Sequence, residues 1–216
     1  DGVALTKFLF WLKKNFRKKK ITEISAQKKL EDFRKMNKKK RTFIDLFAGC
    51  GGLSLGLEEA GFFPLYVNEL NKDALESYLI NRESEYPHLR DPKFHSQDIK
   101  DCINSRFFKD LKNNLAKQFG SCSVDLICGG PPCQGFSGIG LRRSYSVEKR
   151  QLPSNHLYQD MAYFIHKMQP KAFLFENVEG LLSSRWEKKG NKGEIFEDVL
   201  TTFKLLKVYT VKWKLV

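Results

Sequence analysis

A mostly parallel β-sheet with helices on both faces is the fold this sequence predicts, and three observations predict it. Beyond Arg41, short apolar runs alternate with helical patterns, as strand–helix–strand units require. The first of these runs breaks into a glycine-rich turn that opens a helix. Two later runs, VDLICGG and KAFLFENV, are apolar enough to read as strands buried on both faces.

Each element follows in order. The first 41 residues read as a helical leader. In VALTKFLFWLKKNF, Leu5, Phe8, Leu9, Leu12 and Phe16 recur at three- and four-residue steps and make one apolar stripe. After RKKK, Thr22 is a plausible N-cap for EISAQKKLEDFRKM, with Leu30 and Phe33 on one face. NKKKR closes the leader as a solvated linker. TFIDLFAG is then a strand running into the glycine turn, and LSLGLEEAG its helix. FPLYVNE is a second strand and KDALESYLINR a second helix. FHSQDI ends a third strand, VDLICGG is the fourth, and HLYQDMAYFIHKMQ is a long amphipathic helix. KAFLFENV is a further buried strand, GEIFEDVLTTFKLL a helix, and VYTVKWKLV a last strand.

Charge and cysteine content narrow the function. The net charge of +13 is concentrated at one end: residues 1–41 carry 15 basic and 4 acidic side chains, the rest 23 and 21. The excess suggests a nucleic-acid partner, although a leader of this kind serves equally as a solvated helical face. Five cysteines, an odd number with no CxxC pair, argue against a disulfide framework and a zinc site and for a reducing compartment. Cys50, Cys102, Cys122 and Cys128 read as packing residues. No apolar run approaches the roughly 20 residues of a spanning helix, and FLFWL precedes its lysines, the reverse of an export signal.

The turn DLFAGCGGLSLG carries glycines at 49, 51, 52 and 56; a dinucleotide fingerprint would place another at 54, where Ser54 stands. Such turns let backbone approach a ligand closely. Glu69 ends the second strand, where an acid can take ribose hydroxyls, and Asp98 ends the third. Acids disfavour further phosphates and suit a cationic nucleoside such as S-adenosylmethionine.

GGPPCQGFSGIG places Cys133 after two prolines at the end of the fourth strand, where open sheets of this type keep their sites. The prolines stiffen the approach to the thiol. Glu176 in FLFENV follows a run of apolar residues, which favours a neutral carboxyl, and Asn177 beside it can orient the pair. Thiolate addition to carbon 6 of cytosine would make carbon 5 nucleophilic, and hydrogen bonding or proton donation at N3 by Glu176 would drain charge from the ring. The target base would have to leave its duplex.

DLFAGCGGLSLGL, the strand-end acids, GGPPCQGFS and FENV together resemble the ordered motifs of DNA cytosine-5 methyltransferases over about Thr42 to Val216. The resemblance implies a Rossmann-like, S-adenosylmethionine-dependent methyltransferase domain over 42–216, with Cys133 as nucleophile and Glu176 and Asn177 beside it. It further implies a cofactor pocket from Phe47, Gly49, Gly51, Glu69, Leu70, Asp98, Ile99, Gly130, Pro132 and Leu157, with Gln134 and Ser137 near the flipped nucleotide. No metal is implied. QLPSNHLY keeps Asn155 and Leu157 but lacks the arginine usual there. The family's target-recognition region does not appear in these residues, so the expectation is a truncated or split member, weak or inactive alone and completed by a second polypeptide if split. Residues 1–38 resemble a helical segment of Xaa-Pro aminopeptidases, without that family's metal ligands. Expected placement is the cytoplasm, at the nucleoid, or the nucleus in a eukaryote. A tRNA cytosine-5 methyltransferase and a non-catalytic cofactor- or DNA-binding subunit are the alternative readings.

Overall fold

The computed structural model of the protein describes residues 40–132, 153–187 and 189–216. The predicted leader helices therefore lie outside the described residues, as do Cys133, Gln134 and Ser137. Arg41–Val216 forms one compact unit.

Among the described residues five parallel strands form the sheet: β1 (Arg41–Leu46), β2 (Phe62–Asn68), β3 (His95–Ser96), β4 (Leu126–Gly129) and β5 (Ala172–Phe175). Their spatial order is β3-β2-β1-β4-β5. The chain steps outward from β1 to β3, then returns to the other side of β1 for β4 and β5. Right-handed crossovers in the two directions put helices on opposite faces. The contacts agree. Ser54 of α1 (Gly52–Glu59) bonds Tyr78 of α2 (Lys72–Ile80) at 2.8 Å. Phe108 of α3 (Ser105–Phe119) meets Phe164 of α4 (Leu157–Met168) edge-on, ring centres 5.1 Å apart.

Local chemistry sets the boundaries. Asn71 caps α2 by accepting from Asp73 and Ala74 N–H, and Asn104 caps α3 by accepting from Phe107 N–H. Gly120 ends α3 in the left-handed region at φ +73°. Pro64 sits within β2 beside a register shift, where Phe43 pairs with Pro64 and Ile44 with Tyr66. The β3 ladder reaches only Val67 and Asn68, so the missing N–H of Pro64 costs no bond on that side. Ile44, Leu46, Val67 and Ile127 are fully buried at the sheet's centre.

Four sequence expectations are corrected. The segment between Asp98 and Val124, assigned no element above, contains α3, a 15-residue helix with a capping asparagine and a terminal glycine. β5 is not buried on both faces: Ala172 and Leu174, on one face, are exposed, Leu174 by 43%, whereas Phe173 and Phe175 on the other pack against Phe203. VYTVKWKLV joins no ladder among the described residues. It is held instead by aromatic contacts, Tyr209 on Phe173 and Trp213 on Phe196, and by the Tyr209 hydroxyl donating to the Pro170 carbonyl at 2.8 Å. Of the cysteines assigned to packing, Cys102 and Cys128 are buried, but Cys50 and Cys122 are exposed. Among the described residues no helix is long and apolar enough to cross a membrane, and no cluster of histidine, cysteine and acids could hold a metal.

Candidate active site

The strand order reverses between β1 and β4, and a crevice opens there at the carboxyl ends of the strands. It measures about 370 Å³ and is lined by Asp45, Phe47, Ala48, Leu53, Gly130 and Glu176. That volume falls in the range of small-molecule sites, roughly 300–1,000 Å³.

One wall is the turn after β1. Phe47, Gly49 and Gly51 have positive φ (59°, 55° and 91°). A left-handed phenylalanine costs about 1–3 kcal/mol and persists only where its surroundings over-determine it. Those surroundings are tight: Ala48 N–H donates to the Asn68 carbonyl at 3.0 Å, and Gly51 N–H to the Ala48 carbonyl at 2.9 Å. Glu69, at the tip of β2, accepts from Gly49 N–H at 2.8 Å and from Asn71 N–H at 2.7 Å. Its carboxylate thus ties the first turn to the second while keeping lone pairs for a ligand. Leu70 beside it is 66% exposed. Asp98 accepts from Lys100 N–H at 2.9 Å and so caps a short 3₁₀ turn. The Ile99 side chain belongs to the core.

The other wall comes from the tips of β4 and β5. Glu176 N–H donates to the Gly129 carbonyl at 3.0 Å, extending the ladder by one residue. A Cβ on Gly130 would lie 2.5 Å from Glu176 Oε2, so this glycine is what lets the carboxylate lie across the neighbouring strand. Asn177 Nδ2 donates to the Pro131 carbonyl at 3.2 Å, which clasps the two tips together immediately before Cys133. Glu176 itself is exposed; the burial expected from the apolar run before it is not supplied by the half-exposed β5. Pro132 is exposed, and Leu157 is half-buried at the start of α4. Phe47, Gly130 and Glu176 therefore share the crevice. Gly49 and Gly51 shape its turn, and Glu69 braces that turn from β2.

A buried polar network stands behind the turn, and sequence reasoning missed it. Asp45, 1% exposed, accepts from the Ser54 hydroxyl at 2.6 Å. Arg82 donates through Nη2 to the Gly51 carbonyl at 2.9 Å and through Nε to Glu58 Oε1 at 2.6 Å, over the Tyr78 ring. Asp45 was legible as a lone acid within an apolar strand. Arg82 carried no signal, since an arginine just past a helix is usually solvated.

Burial lifts the Asp45 carboxyl from its ordinary 3.8 to about 6, against the opposing pull of Ser54, Cys128 and Arg82. The folded chain therefore holds this proton more tightly than the unfolded chain. The sign is opposite to that of a salt-bridged acid: stability falls as pH rises from about 4 to 6 and stays lower above. The gap amounts to roughly 3 kcal/mol. Urea unfolding of Asp45→Asn at pH 4 and pH 7 is expected to lack this decline relative to the unsubstituted chain. Equal declines in both proteins would show that Asp45 is not its source.

An open α/β domain with a glycine turn and a crevice at its switch point belongs to the doubly wound class of folds. The family is fixed by comparison: the model for C-5 cytosine-specific DNA methylases matches residues 41–216, and the chain belongs to that family. Type II methyltransferase M.AgeI of Thalassovita gelatinovora is 39% identical over 142 residues, 65% of this chain and 28% of that protein. M1.HphI of Haemophilus parahaemolyticus is 33% identical over 174 residues, 80% of this chain and 40% of its own. M.BsuFI of Bacillus subtilis is 33% identical over 186 residues, 86% and 37%. The chain thus spans less than half the length of each. A solved structure of a prophage-encoded DNA modification methyltransferase from E. coli matches 76% of this chain and 38% of its own, at 28% identity and a TM-score of 0.51.

Proposed function

We propose that this chain is the catalytic part of a DNA cytosine-5 methyltransferase. The observation that carries the reading is the joining of two walls around one crevice: the left-handed glycine turn of β1, and Glu176 laid over Gly130 at the tip of β4.

The residues fit S-adenosylmethionine. Gly49 and Gly51 allow close backbone approach, Phe47 and Leu53 line the crevice, and Glu69 offers carboxylate lone pairs for ribose hydroxyls. Leu70, Asp98, Ile99, Pro132 and Leu157 complete the proposed pocket, Ile99 through its backbone. Bound there, the cofactor supplies an electrophilic methyl group. Cys133, which in the sequence follows the Pro131–Pro132 pair whose first carbonyl Asn177 holds, is proposed to add as thiolate to carbon 6 of an extruded cytosine. Glu176, in its acid form, would donate to N3 and take up the charge that addition places on the ring. Carbon 5 would take the methyl group as the donor's carbon–sulfur bond breaks to leave a neutral thioether; loss of the carbon 5 proton to a base and expulsion of the Cys133 thiolate would then restore the aromatic ring. Gln134 and Ser137 are proposed to contact the flipped nucleotide. A region that reads the target, in the same or a second polypeptide, is proposed to act together with these residues. The type II relatives make restriction-linked modification in the cytoplasm the favoured setting.

The test is covalent capture. DNA containing 5-fluorocytosine cannot lose fluorine as a cation, so an adduct formed in the presence of the cofactor persists. The protein completed with its target-reading region is expected to give a denaturation-stable adduct, and Cys133→Ser none. No adduct in the completed protein favours a non-catalytic binding subunit, and capture on tRNA instead of DNA replaces the substrate.

A further inference from the structure

We propose that Arg82 is the positioning residue of the cofactor turn: buried behind Gly51, its guanidinium fixes the Gly51 carbonyl and with it the shape the glycine turn presents to the crevice. The inference rests on the cofactor reading above.

Gly51 is both the last residue of the turn and the N-cap of α1, and as a glycine it has no side chain with which to cap. Its carbonyl accepts twice, from Leu55 N–H at 2.9 Å within the helix and from Arg82 Nη2 at 2.9 Å. The second bond locks the peptide plane that joins turn to helix. Gly51 is moulded to this contact: a Cβ there would lie 2.6 Å from Arg82 Nη1 and 2.8 Å from Nη2. The guanidinium is held on its other sides. Glu58 takes Nε, the Tyr78 ring lies 4.0 Å beneath Cζ, and the Tyr78 carbonyl lies 3.4 Å from Nη1. Arg82 is 6% exposed.

Surface arginines usually contribute little. This one is placed where its planar fork binds an acid and a carbonyl at once, which a lysine ammonium on a flexible stem does not reproduce. Arg82 does not line the crevice, so its effect passes through Gly51. It should appear in ligand affinity and leave the chemical step alone. Reciprocity requires that a ligand seated on the turn also restrain Arg82.

The experiment measures binding of S-adenosylhomocysteine by calorimetry. Arg82→Lys is expected to raise Kd at least tenfold, and the KM for cofactor equally, with kcat at saturating cofactor within about threefold. Leu115→Ala, a core truncation in α3, is the stability control and is expected to lower Tm with Kd unchanged. A second measurement needs no substitution. In the unsubstituted protein, saturation with S-adenosylhomocysteine is expected to shift the Arg82 Nε–H resonance and slow its exchange, while that of Arg106, whose side chain is 93% exposed, stays fixed. An unchanged Kd in Arg82→Lys, equal weakening in Leu115→Ala, or an Arg82 resonance indifferent to ligand overturns the inference. Failure of the unsubstituted protein to bind at all overturns the cofactor reading first and this inference with it.

Discussion

Glu176→Ala is expected to lower methyl transfer by about 10²- to 10⁴-fold, the range for removing a positioned proton donor. The carboxylate lies at the one point where the β5 tip reaches the crevice, over a glycine that leaves room for it. Its backbone is fixed to Gly129, and Asn177 next to it is fixed to Pro131. The acid is thus held at the crevice by two strands at once. Glu176→Gln keeps a hydrogen-bond donor but transfers no proton, and its rate should fall between those of Ala and Glu. Gly130→Ala adds a companion test. The atom its methyl group would meet is the free end of the Glu176 side chain, so the fold should survive while the carboxylate swings away. Loss of activity with an unchanged Tm is expected. Single-turnover methyl transfer to DNA checks all three, and a rate for Glu176→Ala within fivefold of the unsubstituted protein would remove this residue from the chemistry.

The largest stability effect is expected at Gly51. Gly51→Ala places a methyl group on a residue at φ +91° and drives it into the Arg82 guanidinium and the Tyr78 ring, 2.6–2.8 Å away. A left-handed alanine costs about 1–2 kcal/mol. Displacing Arg82 also breaks a buried ion pair with Glu58, and breaking such pairs costs about 3–5 kcal/mol. The sum is about 4–7 kcal/mol, or a fall in Tm of roughly 8–28 °C for a domain of this size. Gly56→Ala supplies the contrast. Gly56 sits inside α1 with open space around its missing Cβ, so alanine there should stabilise by about 0.5–1 kcal/mol. Thermal unfolding of the two variants side by side decides the matter. Equal shifts would mean that the cradle behind the turn is not rigid.

These contrasts show why some of the site was legible and some was not. Gly49, Gly51, Glu69, Gly130 and Glu176 announced themselves because their residue types are unusual at strand ends, and strand ends follow from local hydrophobic pattern. The two walls of the crevice then meet because parallel strands bring all their carboxyl ends to one edge. Helix α3 went unread although Asn104, an amphipathic stripe and Gly120 mark it. β5 read as buried because its composition is apolar; whether both faces of a strand are covered depends on what packs against it, which no local pattern encodes.

By itself the sequence determined the alternation of strands and helices and the family, because these depend on short-range pattern and on residue type. Only the tertiary structure decided that Asp45, Ser54, Tyr78, Arg82 and Glu58 form one buried network behind the glycine turn. Those residues are as far as 37 positions apart (Asp45 to Arg82), and the two successive parallel crossovers, β1 to β2 through α1 and β2 to β3 through α2, are what fold them together. Burial then gives a polar side chain a defined partner, where solvent would have left it a choice.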